Sequence, residues 1–200
     1  MPSFLANNGR KMLTPELERL KNSLNCVSYN GVQHTDILIK ENDKSASLKK
    51  LKLTHTTGNW FSFNPDKGSI KGKISTLLSN FEEYSPHRAC DCVVVIANNK
   101  NLKIIYIDLK SGNPIGYAGQ FKSTRQFMRY AVGLINDFFD ADLDISQEHF
   151  VIFFDQNSLP LRKRTTTLSS KKTKPDDACK IPILNNSDYK LDILLKMLES

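Results

Sequence analysis

Residues 89–112 read Ala89-Cys90-Asp91-Cys92-Val93-Val94-Val95-Ile96-Ala97-Asn98-Asn99-Lys100-Asn101-Leu102-Lys103-Ile104-Ile105-Tyr106-Ile107-Asp108-Leu109-Lys110-Ser111-Gly112. Two apolar, β-branched runs on either side of Asn98–Asn101 have the pattern of a β-hairpin. The hairpin carries charge where a buried strand should not. Asp91 opens the first run, and Asp108 and Lys110 stand two apart near the end of the second, on one face of a strand. Ile107 and Leu109 face the other way. Carboxylates and an amine gathered at the end of an apolar hairpin are costly to desolvate unless they meet partners or a metal. A divalent cation is the natural partner.

An aspartate, a hairpin, then Asp-x-Lys, with Gln120 ten residues beyond the lysine in a following helix, resembles the PD-(D/E)xK nuclease superfamily. That resemblance implies an α/β restriction-endonuclease-like fold: an αβββαβ core with a mixed central sheet flanked by helices, in one domain over residues 1–200. It implies a hydrolase in which Asp91 and Asp108 hold Mg²⁺, with Mn²⁺ able to substitute. Lys110 positions or activates the attacking water, and Gln120 supports the site. The matched residues span about a sixth of the chain. Cys90 stands where the family name has proline, and Asp108 where many members have glutamate. An early helix contributes a further acidic ligand in that family, which makes Glu16 or Glu18 a candidate. Glu82 and Glu83, close in sequence to Asp91, are others, and the position stays unassigned.

Two hundred residues suit one α/β domain with a real core, and 40% hydrophobic with 24% charged residues is ordinary globular composition. A net charge of +7 favours a polyanionic partner, because lysine and arginine contacts to phosphate dominate non-specific nucleic-acid affinity. The same charge is equally compatible with an idle basic surface. No apolar run reaches membrane-spanning length and residues 1–10 lack a signal-peptide core, so a soluble, cytoplasmic protein is expected. Cys26, Cys90, Cys92 and Cys179 are too scattered for a disulfide scaffold. Cys90 and Cys92 flank Asp91 and are expected to share the core face opposite to it. His87, Cys90 and Cys92 lack a fourth ligand at zinc-finger spacing, so a zinc site is the lesser reading.

Thr14 caps a helix that Pro15 opens, with Leu17, Leu20 and Leu24 as its stripe and a stop at 26–31. Acidic residues in that first turn are equally explained by the helix dipole. Residues 32–39 and 48–57 read as strands, the second with Leu51 and Leu53 alternating with a basic face of Lys50 and Lys52. Residues 58–63 continue that strand as a hairpin, with Trp60 and Phe61 read as core rather than as a base-stacking platform. A turn at 64–68 leads to an expected helix over 69–84. After Ser111–Pro114 a long helix runs from about 116 to 139, with Phe121, Thr124, Met128, Ala131, Ile135 and Phe138 as its buried stripe. Lys122, Arg125 and Arg129 lie on its other faces, where they could meet phosphate.

Residues 140–147 read as an acidic loop, 149–155 as a buried strand, and 161–177, with six Lys or Arg residues, as a basic surface loop. An edge strand at 179–184 tolerates Pro182, and Ser187 caps a last helix through Leu191, Leu194, Leu195 and Leu198. No Ser-His-Asp set or glycine-rich phosphate loop is evident. The expected activity is therefore Mg²⁺-dependent phosphodiester hydrolysis, on DNA first with RNA left open, in a restriction or defence setting. The rival readings are an inactive nucleic-acid-binding module and an interaction subunit of a larger assembly. A homodimer, or a helicase or sensor partner, is the company such a nuclease would keep.

Overall fold

The computed structural model describes residues 13–25, 27–29, 36–41, 44–54, 59–68, 78–80, 85–112, 115–155, 174–184 and 187–199. In chain order the elements are α1 (Pro15–Asn22), β1 (Val27–Tyr29), β2 (Ile37–Lys40), β3 (Lys50–Thr54), β4 (Asn59–Phe63), α2 (Pro65–Gly68), β5 (Cys92–Asn98), β6 (Asn101–Lys110), α3 (Ala118–Phe139), β7 (Asp144–Asp155), β8 (Cys179–Ile183), β9 (Ser187–Lys190) and α4 (Leu191–Glu199). The protein is a mixed α/β structure.

Six strands form a sheet in the order β1-β4-β5-β6-β7-β8. It is antiparallel from β1 to β6 and parallel from β6 to β8, so it is mixed. A second sheet has the order β2-β3-β9. The period-two alternation of β6 divides the core. Leu102, Ile104 and Tyr106 pack with Phe121, Met128 and Ile135 of α3 and with Leu17 and Leu20 of α1. Ile105, Ile107 and Leu109 turn to the other side, against Ile39, Leu51 and Leu53 of the small sheet and Leu191, Leu194 and Leu198 of α4. The central sheet is therefore covered on both faces, which explains why β5 and β6 read as nearly continuous apolar runs.

The hairpin forms as expected, with Asn99 in the left-handed region at φ 55. Thr14 caps α1 by accepting the Leu17 N–H at 3.3 Å, but the helix ends at Asn22 and residues 27–29 become a strand instead of a helix stop. β4 does not fold back on β3. It pairs with β1 and β5, because Trp60, Phe61 and Phe63 are apolar on both faces and only a covered sheet can bury both. Cys90 and Cys92 do not share a face: the strand begins at Cys92, and Cys90 packs with the α3 side while Cys92 packs against the small sheet.

Phe138 is 75% exposed rather than buried. It stands in the last turn of α3, where Phe139 is exposed as well. β7 begins at Asp144, so the expected loop is shorter, and Ala141 and Leu143 are buried within it. Ser187 starts a strand parallel to β3 rather than capping the last helix. Leu78–Asn80 are not helical, and the rest of the helix expected over 69–84 lies outside the described residues, as do 32–35, 55–58 and most of the basic loop, 161–173. No helix among the described residues is long and apolar enough to cross a membrane.

Candidate functional site

β5 and β6 pair with Val93 opposite Tyr106 and Cys92 opposite Ile107. One more step of that register sets Asp91 across from Asp108. Asp91 does not extend the ladder; its Oδ2 accepts the backbone N–H of Leu109 at 2.6 Å. Asp108 shares the phase of Tyr106, so it faces α3 and is 1% exposed. Lys110 follows in the same phase, its Nζ 2.7 Å from Asp108 Oδ2. That Nζ also donates to Gln120 Oε1 at 2.9 Å.

Gln120 stands in the first turn of α3 and returns its own Nε2–H to the carbonyl of Ala89 at 3.1 Å. One turn on, Thr124 Oγ1 receives the Cys90 N–H at 3.1 Å and donates to the Gln120 carbonyl at 2.9 Å. The start of α3 is thus stitched to residues 89–90, which carry Asp91. The four residues expected from the sequence, Asp91, Asp108, Lys110 and Gln120, come together at one end of the hairpin.

The electrostatics are unfavourable for an isolated protein. Burial raises the carboxyl of Asp91 well above its ordinary value, and the Asp108 charge opposite raises it further, against the Leu109 N–H. Burial likewise raises Asp108, with Lys110 and Asp91 offsetting only part of it. Asp108 Oδ2 meets Lys110 as an ion pair, and neither Asp108 oxygen makes a well-aligned hydrogen bond among the described residues. Buried carboxylate oxygens nearly always have one. The pair resists full ionisation as a unit.

Glu41, just beyond β2, was missed by the sequence reading. Its charge raises both Asp91 and Asp108. A signal was present: Ile37 and Ile39 are buried, and Glu41 continues their phase, an acid where the strand pattern demands an apolar residue. Glu18 pairs with Lys21 on α1, and Glu82 and Glu83 lie outside the described residues. Of the helix cations, Lys122 pairs with Asp176, and Arg125 and Arg129 with Glu148. His87 Nε2 lies 2.9 Å from the Leu78 carbonyl, and with Cys90 and Cys92 in opposite layers the three do not assemble a zinc site.

Among the described residues no three His, Cys, Asp or Glu side chains converge closely enough to hold a metal ion. In this conformation Glu41 acts on the pair through its field. Two carboxylates, one with orphaned buried oxygens, nevertheless fit a hard cation of the magnesium type, which commonly takes one or two carboxylates and leaves its other positions to water and phosphate. No family model, curated protein or solved structure matches the chain.

Proposed function

We propose that this protein is a Mg²⁺-dependent nuclease of the PD-(D/E)xK kind, hydrolysing phosphodiester bonds, with DNA the first substrate to test. The observation that carries the reading is Asp108: a buried carboxylate that makes no well-aligned hydrogen bond among the described residues, lies beside a second carboxylate and is ion-paired with an ammonium that a helix glutamine holds in place. The element order supports the restriction-endonuclease-like fold, since α1, β4, β5, β6, α3 and β7 run αβββαβ with β1, β2 and β3 interposed after α1 and the one-turn α2 between β4 and β5.

Asp91 and Asp108 would hold Mg²⁺ or Mn²⁺. When bound, such a cation polarises a phosphoryl oxygen and makes a water molecule more acidic. Lys110 Nζ, held beside the carboxylates, would stabilise negative charge developing on the phosphate or orient the water. Preorganised charge of this kind is worth about 10²-fold or more in rate. Gln120 is a positioning residue: anchored on the Ala89 carbonyl, it fixes the direction of the Lys110 ammonium.

The Asp108–Lys110 ion pair alone would suit a second reading, a nucleic-acid-binding module without catalysis. Incubating the protein with plasmid and single-stranded DNA in Mg²⁺, Mn²⁺ or EDTA separates the two. Cleavage that needs metal and is lost in Asp108→Ala and Lys110→Ala is expected. Cutting in EDTA, or full activity in Lys110→Ala, counts against the nuclease. Binding without cleavage in any metal favours the module.

A further inference from the structure

The outward face of the small sheet reads Leu38 and Lys40 on β2, Lys50 and Lys52 on β3, and Asp188 and Lys190 on β9. Its charge is uneven. Lys52 lies 3.0 Å from Asp36 and stands in register with Asp188, so the middle of the face is matched. At the loop end Lys40 and Lys50 are Cα partners across the β2–β3 pair, both are exposed, and neither has an anionic partner among the described residues. Like charges directly opposite on neighbouring strands destabilise a sheet, so folding gives no reason for this pair.

That same end of the sheet is fastened to the candidate site. Ser47 donates from Oγ to the Ser111 carbonyl at 2.8 Å and from its N–H to Ser111 Oγ at 2.9 Å, and Ser111 follows Lys110 directly. Lys50 is three residues from Ser47, at most roughly 11 Å along an extended chain. The Glu41 N–H, bonded to the Lys49 carbonyl at 3.0 Å, continues the pairing past Lys40 and Lys50 into the loop. By contrast Lys122, Arg125 and Arg129 on α3 are spent on Asp176 and Glu148.

We infer that Lys40 and Lys50 form a docking surface for the phosphate backbone of a nucleic-acid strand that enters the Asp91–Asp108 site past the β2–β3 loop. The inference rests on the proposed function and adds to it the face from which the strand arrives. A nucleic-acid strand carries a phosphate every ~3.4 Å of helix axis, so one seated at the carboxylates brings further phosphates over the lysines within a few nucleotides. Two cations a strand-spacing apart, open to solvent, suit that spacing without reading sequence.

The test is titration of a labelled 20-bp duplex, and of its single strand, with the full chain in EDTA at several salt concentrations. In Lys40→Gln/Lys50→Gln the duplex slope of log K against log salt falls by about 1.8, near 0.9 per lost phosphate contact. Lys40→Arg/Lys50→Arg retains the wild-type slope, and Lys100→Gln, at the far end of the β5–β6 hairpin, leaves it unchanged. Thermal unfolding of the glutamine variant matches or exceeds wild type, because a repulsion has been removed. An unchanged slope in Lys40→Gln/Lys50→Gln overturns this surface and leaves the nuclease reading standing. Wild-type binding with normal lysine dependence but no cleavage in Mg²⁺ or Mn²⁺ overturns the nuclease and leaves the surface. No binding by wild type at tens of micromolar overturns both.

Discussion

Two carboxylates lie beneath α3 on neighbouring strands, and their surroundings are opposite. Glu148 of β7 is fully engaged: Tyr106 Oη donates to it at 3.0 Å, Arg125 Nε at 2.8 Å and Arg129 at 3.0 Å. Burial acts to raise its carboxyl, but Arg125 and Tyr106 outweigh that and hold it below its ordinary value. Asp108 of β6 is more deeply buried, lies beside Asp91, and has Lys110 as its ion-pair partner, which offsets only part of the effect of burial. Its carboxyl is held high. One acid is surrounded by three donors and the other, a few residues away, is short of them, and the proposed cation would make up that shortfall at Asp108.

Removing groups at the two places should separate them. The largest expected effect is at the deficient end: Lys110→Ala or Asp108→Ala lowers metal-dependent cleavage by about 10²-fold or more, measured as initial rate on plasmid DNA. Glu148→Ala leaves cleavage nearly intact but strips Tyr106 and Arg125 of their acceptor, and denaturant unfolding should report a loss of about 2–3 kcal/mol. If Glu148→Ala abolished cleavage while the fold held, the division between the two carboxylates would be wrong.

Proton linkage gives the pair opposite signs. Glu148 has a depressed folded-state pKa, so its stabilisation is present above the unfolded value of about 4.3 and is lost as the pH falls. Asp91 and Asp108 have raised folded-state pKa values, so the folded chain binds more protons than the unfolded one and stability falls as the pH rises from about 4 toward neutrality. Millimolar Mg²⁺ should reverse that loss, raising Tm more at pH 8 than at pH 5. In Asp108→Asn both this loss with rising pH and the Mg²⁺ shift should shrink. An equal Mg²⁺ shift in wild type and Asp108→Asn would remove the metal from this place.

Glu41→Gln should act in the same direction as Asp108→Asn but more weakly, flattening the loss of stability with rising pH in the same thermal scans, since its charge raises both carboxyls less than burial does. Smallest of all is the ion pair at the turn of the hairpin. Lys100 and Asp142 are 3.1 Å apart but 59% and 85% exposed, so Lys100→Ala should change stability by no more than about 0.5 kcal/mol and leave cleavage untouched.

Much of this was legible in residues 89–112 because hairpin geometry is local. Period-two alternation puts Asp108 and Lys110 on one face, and a short polar turn fixes a register that sets Asp91 opposite Asp108. Glu41 was legible in principle, as an acid in the buried phase of a strand, but its distance from the site in sequence hid its relevance. Less could be read where a segment's partner is remote. Ser187 carries the signature of a helix cap, yet residues 187–190 are claimed by β3. Residues 59–63 look like the return arm of a hairpin and instead join β1 and β5.

The sequence by itself determined which side chains share a strand face, where the long helix of 118–139 runs, and that charge stands at the end of an apolar hairpin. Only the tertiary structure decided how those charges are solvated. Covering the central sheet on both faces removes water from Asp108, docking the start of α3 delivers Gln120 to Lys110, and fastening the small sheet at Ser111 brings Glu41, Lys40 and Lys50 to the same end. The physical reason is that alternation and turn chemistry act between neighbours in the chain, whereas desolvation and Coulomb forces depend on what the rest of the chain packs against them.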